Sequence, residues 1–341
     1  MKQEQKQNND RSELIRLIAE KKMIADEYGR YSPEMLVVQK RYLEAIREQT
    51  PDAAEFALKD LREIYEHLEG PGSRNALETG VALARTYFEA GDYISAREVI
   101  EEVYGLYRET YGPNDRGSLE AMEWYVTILF EMELDDEALA LDEAFLSLVS
   151  QTYGPASFES FRARRNHGDL LCASGKWEKA RDVYLSLEHA QQAVGFADDM
   201  LQLDLFQCAT ELKLYSEQKT SMAKHLDNLR ALGAEDIDLA NAYSRFLDGF
   251  YAAGQYESAL ECGKALIPLL QNTGKEGKRS LASVLQTTAL ISCKTGDYRS
   301  ALKYSEKSLD IAKKVYKYDY AQLAEYQNAY DMVREAAKGS S

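Results

Sequence analysis

Three Gly-Pro dipeptides, Gly70-Pro71, Gly112-Pro113 and Gly154-Pro155, stand 42 residues apart in a chain with only six prolines. Two of them share a context, "YGPND" at 111–115 and "YGPAS" at 153–157. Proline pushes the residue before it out of the helical region, so each dipeptide is a helix stop. Stops on a fixed period imply a chain assembled from copies of one unit, and that limits the fold more than any single residue.

A second signal divides each unit in two. Residues 84–96 read "ARTYFEAGDYISA", 168–180 "GDLLCASGKWEKA" and 289–301 "ALISCKTGDYRSA". In each a glycine is followed after two residues by an aromatic and after three more by an alanine. The sets are Gly91/Tyr93/Ala96, Gly175/Trp177/Ala180 and Gly296/Tyr298/Ala301, with a fourth at Gly254/Tyr256/Ala259. Glycine ends one helix in the left-handed conformation, the aromatic fills the corner, and alanine lets antiparallel partners approach. "ELDDEA" at 133–138 keeps the alanine and loses the glycine, and "KLYSEQ" at 213–218 keeps only Tyr215. The flanking apolar residues recur at helical spacing, for example Val99, Ile100, Val103 and Tyr107. With 45% apolar residues, few glycines and few prolines, the composition agrees with an all-α chain.

The pattern resembles the tetratricopeptide repeat, in the longer 42-residue form of kinesin light chains and their bacterial relatives. The resemblance implies a right-handed α-solenoid of helical hairpins with a C-terminal capping helix. It places a disordered tail at 1–9, divergent N-terminal hairpins at 10–73, the array at 74–318, the capping helix at 319–337 and a tail at 338–341. The Gly-Pro beat fails after its third copy, since 194–199 read "VGFADD". That predicts a degenerate unit near 198–235.

No residue pattern announces a reaction. The four histidines include no pair at i+3 or i+4, and HExxH, Walker A, GxSxG and GxGxxG motifs are missing. Cys172, Cys208, Cys262 and Cys293 are too far apart for a CxxC pair and read as buried free thiols. His167 stands where a core leucine is usual and reads as a satisfied, partly buried histidine. The expectation is therefore no enzyme, no metal and no cofactor. A formal charge of −16 disfavours nucleic acid, and no apolar run approaches a membrane span. A polar N-terminus without an apolar h-region predicts a cytoplasmic chain.

Against the acidic background one basic cluster stands out, "FRARRNHGD" at 161–169, with Arg162, Arg164 and Arg165. In tetratricopeptide arrays the first helix of each hairpin lines a concave groove. By that resemblance the groove positions are Arg85 and Phe88, Thr127 and Phe130, Arg162, Arg165, Asp169 and Cys172, and Asn241, Asp248 and Tyr251. Asn166 matches a light-chain asparagine that holds a ligand's backbone amide. The implied function is a non-catalytic scaffold binding a protein or peptide that carries acidic residues; the bland alternative pairs the arginines with acids on the second helices of the hairpins. Two other readings follow. Residues 10–68 resemble the N-terminal region of aspartyl-phosphate phosphatases gated by peptides, with Gln39 surviving from the motif and Tyr42 replacing its acid. Degenerate units could also let the chain self-assemble.

Overall fold

The computed structural model describes residues 2–49, 54–196, 198, 200–271 and 275–339. Met1 and residues 340–341 of the expected tails lie outside them. Sixteen helices and no strand occur among the described residues, and none of those helices is long and apolar enough to cross a membrane. The chain divides into two compact units, Met1–Ser174 and Gly175–Ser341.

The first unit holds α1 (Lys2–Tyr28), α2 (Pro33–Gln49), α3 (Ala54–Glu69), α4 (Arg74–Glu89), α5 (Tyr93–Tyr111), α6 (Arg116–Glu131), α7 (Asp135–Tyr153) and α8 (Phe158–Ala173). The stretch expected as a disordered tail is helical from Lys2. It contains no glycine or proline and is rich in Gln, Glu and Lys, which propagate a helix already nucleated downstream. Between α1 and α2 the chain turns at "YGRYSP", residues 28–33: Gly29 has φ 91°, and Ser32 Oγ accepts the Met35 N–H at 3.1 Å to cap α2.

The Gly-Pro stops work as expected and do more. Gly112 and Gly154 close α5 and α7 with φ near 90°, a conformation that costs a side-chain-bearing residue heavily. Their carbonyls then accept hydroxyl donors from the next helix, Ser118 Oγ to Gly112 O at 2.7 Å and Ser160 Oγ to Gly154 O at 2.6 Å. Each stop is thereby tied to the helix it introduces. In the corners, Ala96, Ala138, Ala180, Ala259 and Ala301 are all fully buried. Gly91, Gly175, Gly254 and Gly296 all take positive φ. Where the glycine is missing the turn is still made, with Glu133 and Lys213 forced to φ 59° and 58°.

Within the first unit sequential helices pack on one another, and first helices also meet first helices, as α4 does α6. The main core of the first unit runs from Leu43 through Leu77, Ile100 and Tyr107 to Ile128. A satellite of Leu119, Met122, Phe145, Val149 and Ala163 joins α6, α7 and α8. Ion pairs step across one repeat at a time: Arg62 to Glu102, Arg74 to Asp115, Arg97 to Glu137.

The second unit holds α9 (Trp177–Ala193), α10 (Leu201–Glu211), α11 (Tyr215–Ala231), α12 (Asp236–Ala252), α13 (Tyr256–Gln271), α14 (Lys275–Lys294), α15 (Tyr298–Val315) and α16 (Tyr320–Lys338). At 11 residues α10 is the short element of the degenerate stretch. Phe206, Phe246 and Phe250 pack edge-on at the centre of this unit's main core. Asp319 caps α16, which covers the array's end with Tyr326, Ala329 and Val333.

Candidate functional site

In the first unit the first helices α4, α6 and α8, with α7 behind them, enclose two adjoining hollows. The larger, about 830 Å³, is lined by Phe88 from α4, by Arg116, Glu123, Trp124 and Thr127 from α6, by Phe145 and Tyr153 from α7, and by Glu159 and Arg162 from α8. The second, about 340 Å³, shares Glu123, Thr127 and Phe145 and adds Phe130, Asp142, Asn166 and Asp169. Six of the sequence-predicted positions, Phe88, Thr127, Phe130, Arg162, Asn166 and Asp169, thus meet in one continuous groove.

The other six, Arg85, Arg165, Cys172, Asn241, Asp248 and Tyr251, line neither hollow. Arg85 lies on the same face, its guanidinium 4.9 Å from the Trp124 ring, and lines a neighbouring hollow with Arg47 and Glu89. Arg165 is half-buried and lines neither hollow. Tyr251 belongs to the second unit, where it lies 5.8 Å from the corner tyrosine Tyr256. Phe88 repeats that contact with Tyr93 at 5.4 Å and also meets Trp124 edge-on at 5.8 Å.

Glu123 organises the polar end. Arg162 donates to both its oxygens, at 2.7 and 3.1 Å, and Asn166 Nδ2 reaches Oε1 at 3.4 Å. The arginine therefore does pair with an acid, but on the preceding first helix rather than on a second helix. The cause is the stacking of α8 beside α6, which sets residues 39 apart face to face. Arg164 points elsewhere and donates to the Pro155 carbonyl at 3.0 Å. Both members of the Arg162–Glu123 pair are substantially exposed, 49% and 30% by side chain, so water screens the attraction to about 0–1 kcal/mol.

Beneath the smaller hollow His167 Nδ1 faces Asp142 Oδ2 at 2.6 Å, with both side chains buried between α7 and α8. The satisfied-histidine reading of His167 holds, and its partner is this carboxylate. All four cysteines are free thiols, Cys208 and Cys262 buried. Burial pushes the Cys262 thiol up to about 12. Among the described residues no group of three His, Cys, Asp or Glu side chains could hold a metal.

Sequence reasoning missed Glu123, Trp124, Phe145 and Tyr153. Glu123 precedes the predicted Thr127 by four residues and so shares its helix face, which was the available signal. Phe145 and Tyr153 come from a second helix, so counting first-helix positions could not reach them. Gln39 is fully buried and donates to the Ala57 carbonyl at 2.7 Å, tying α2 to α3.

A tetratricopeptide-repeat model matches residues 78–116, which run from α4 to the start of α6. Residues 78–116 thus carry a tetratricopeptide repeat, set within an all-α array of similar helical hairpins. No curated protein sequence matches the chain. Among solved structures, the repeat protein is similar to a signal transduction ATPase with numerous domains from Pyrococcus horikoshii that has a tetratricopeptide repeat sensor. The identity is 18% and the TM-score 0.54, over 94% of this chain and 50% of that one. It also shares its fold with aspartyl phosphate phosphatase F from Bacillus subtilis, at 12% identity and TM-score 0.53, over 85% of this chain and 74% of that one. The tetratricopeptide-like repeats of a kinesin light chain from Podosopora anserina align at 16% identity and TM-score 0.47, over 57% and 92% of the two chains.

Proposed function

We propose that the repeat protein is a non-catalytic scaffold whose first-unit groove binds an extended peptide with an apolar anchor and an acidic residue. The observation that carries this reading is the pairing of an aromatic hollow with a weak, exposed ion pair at its rim. Phe88, Trp124, Phe145 and Tyr153 offer a hollow of about 830 Å³, ample for one or two apolar side chains. Aromatic pockets of this kind supply most of the affinity in peptide recognition. At the rim a ligand carboxylate takes the place of Glu123 on the Arg162 fork at little cost, because the internal pair is screened. Asn166 is then released to meet the peptide backbone.

Fluorescence anisotropy against an array of acidic and neutral peptides tests the assignment. Trp124→Ala and Arg162→Glu are each expected to weaken binding at least tenfold. Glu123→Gln, which frees the arginine, is expected to strengthen binding of acidic peptides and leave neutral ones unchanged. If Trp124→Ala and Arg162→Glu both keep every detected peptide bound, the groove is not the site.

A further inference from the structure

A second pocket lies wholly within the second unit, where α9, α10 and α11 meet beside the failed Gly-Pro beat. Its volume is about 260 Å³, below the roughly 300–1,000 Å³ of ordinary small-molecule sites, so it admits one side chain or a short linear molecule. Its floor is polar in a way packing does not require. Glu188 and Gln202 are both more than nine-tenths buried, and Gln202 Nε2 donates to Glu188 Oε1 at 2.9 Å. That bond fixes the orientation of the Gln202 amide and leaves its Oε1 buried without a hydrogen-bond partner. A buried acceptor left unmet typically costs about 1–3 kcal/mol, and the fold keeps it.

The pocket already holds one ammonium, the chain's own. Lys224, half exposed, reaches in from α11 and places Nζ 2.6 Å from Glu188 Oε1. It satisfies the carboxylate but not Gln202. Asp198 and Asp227 stand at the same pocket, Asp227 paired with Arg230 outside it at 3.0 Å, so the lining itself carries three carboxylates against one cation. An ammonium has three donors and no acceptor, which suits a buried carboxylate beside an unmet carbonyl. An anion would meet the acids and find only Lys224 in its favour.

We propose that this pocket binds an external alkylammonium group, which displaces the flexible Lys224 ammonium and bridges Glu188 and the Gln202 carbonyl. Lys224 acts as a tethered competitor, holding the buried charge paired until a ligand arrives. The ligand class is a primary amine on an unbranched chain, whether a lysine side chain of a peptide or a free polyamine. No residue of the first-unit groove takes part, so this assignment stands or falls separately from the one above.

Isothermal titration of the full chain with two probes, cadaverine and an acetylated, amidated lysine tripeptide, tests it. Saturable binding of either probe is expected, and which one binds tighter identifies the source. Gln202→Leu is expected to weaken binding at least tenfold. Lys224→Met is expected to strengthen it several-fold, a gain that misfolding cannot mimic. Thermal melts of both variants confirm the fold. Absence of saturation by both probes, unchanged affinity in Gln202→Leu, or weaker binding in Lys224→Met would each overturn the proposal, as would acetate competing better than the amines.

Discussion

Glu133 and Lys213 are the only non-glycine residues at positive φ among the described residues, and both sit in corners where sister repeats carry glycine. Holding a side-chain-bearing residue in the left-handed region costs about 1–2 kcal/mol. Glycine would relieve this but gains freedom in the unfolded chain, which returns roughly 0.4–1 kcal/mol of the benefit. Each of Glu133→Gly and Lys213→Gly should therefore stabilise its own unit by about 0.5–1 kcal/mol. In a unit of this size that is a rise in Tm of roughly 1–4 °C. Glu133 follows α6 and makes its corner through two backbone bonds, its N–H to the Phe130 carbonyl at 2.9 Å and Leu134 N–H to Leu129 O at 3.0 Å. Neither bond needs the side chain, so glycine keeps both. The reverse change, Gly91→Ala, places Cβ in open space and should cost about as much, from backbone strain alone. Scanning calorimetry of the three variants checks the set. A fall in Tm for both glycine variants, or no loss in Gly91→Ala, would show that corner conformation does not limit stability here.

A Cβ on Gly117 would lie 2.4 Å from the ring of the buried Tyr107, so Gly117→Ala should lower the urea midpoint by the equivalent of about 1–3 kcal/mol, and Tyr107→Leu in the same chain should restore part of it. The Asp92, Asp115 and Asp297 carboxyls are held below the usual range, Asp92 and Asp297 by hydrogen bonds from Ser95 and Ser300 and Asp115 by the Arg74 guanidinium. Folded values below the unfolded one mean that this stability is complete above about pH 4 and lost as pH falls through the folded values, and an acid melt should show the loss shrink in Asp92→Asn. Cys262, buried and with its thiol pushed up to about 12, should resist iodoacetamide at pH 8 in the native protein and react once urea unfolds it, which peptide mapping reads directly.

The corners and stops were legible because each depends on one residue type at one place. Gly112 must reach φ 90° ahead of a proline, and Ala96 must leave room where two helices cross, so the letters are nearly forced. The degenerate corners were harder to read, because backbone hydrogen bonds can hold Glu133 in place of glycine at moderate cost. The groove was half legible. The tetratricopeptide resemblance offered Phe88, Thr127 and Arg162, and a light-chain match offered Asn166, and all four line the two hollows. The walls from α7 depend on how a second helix tilts against its neighbours, which no local spacing encodes. The pocket around Glu188 left no trace in the sequence at all, since it exists where the repeat pattern lapses and an 11-residue helix meets two of 17 residues.

The basic cluster shows why charge read from a sequence is an incomplete guide to what a groove accepts. "FRARRNHGD" carries three arginines in nine residues, yet the structure gives them three different settings. Arg164 serves a turn carbonyl, Arg165 is half-buried off the groove, and only Arg162 faces the hollow, where Glu123 already holds it. A buried pair of that geometry would be a permanent strut, since separating it would strand a charge. At the exposures seen here the pair is weak, and under the proposed function a ligand carboxylate would compete with Glu123 on nearly equal terms. Under that reading burial decides which charge is open to a ligand, and the aromatic hollow beside it would supply the affinity. The same logic separates Lys224, whose partner Glu188 is buried and whose own stem is free to leave. In the groove the partner to be displaced is Glu123, at 30% exposure, and in the second pocket it is Lys224, at 46%.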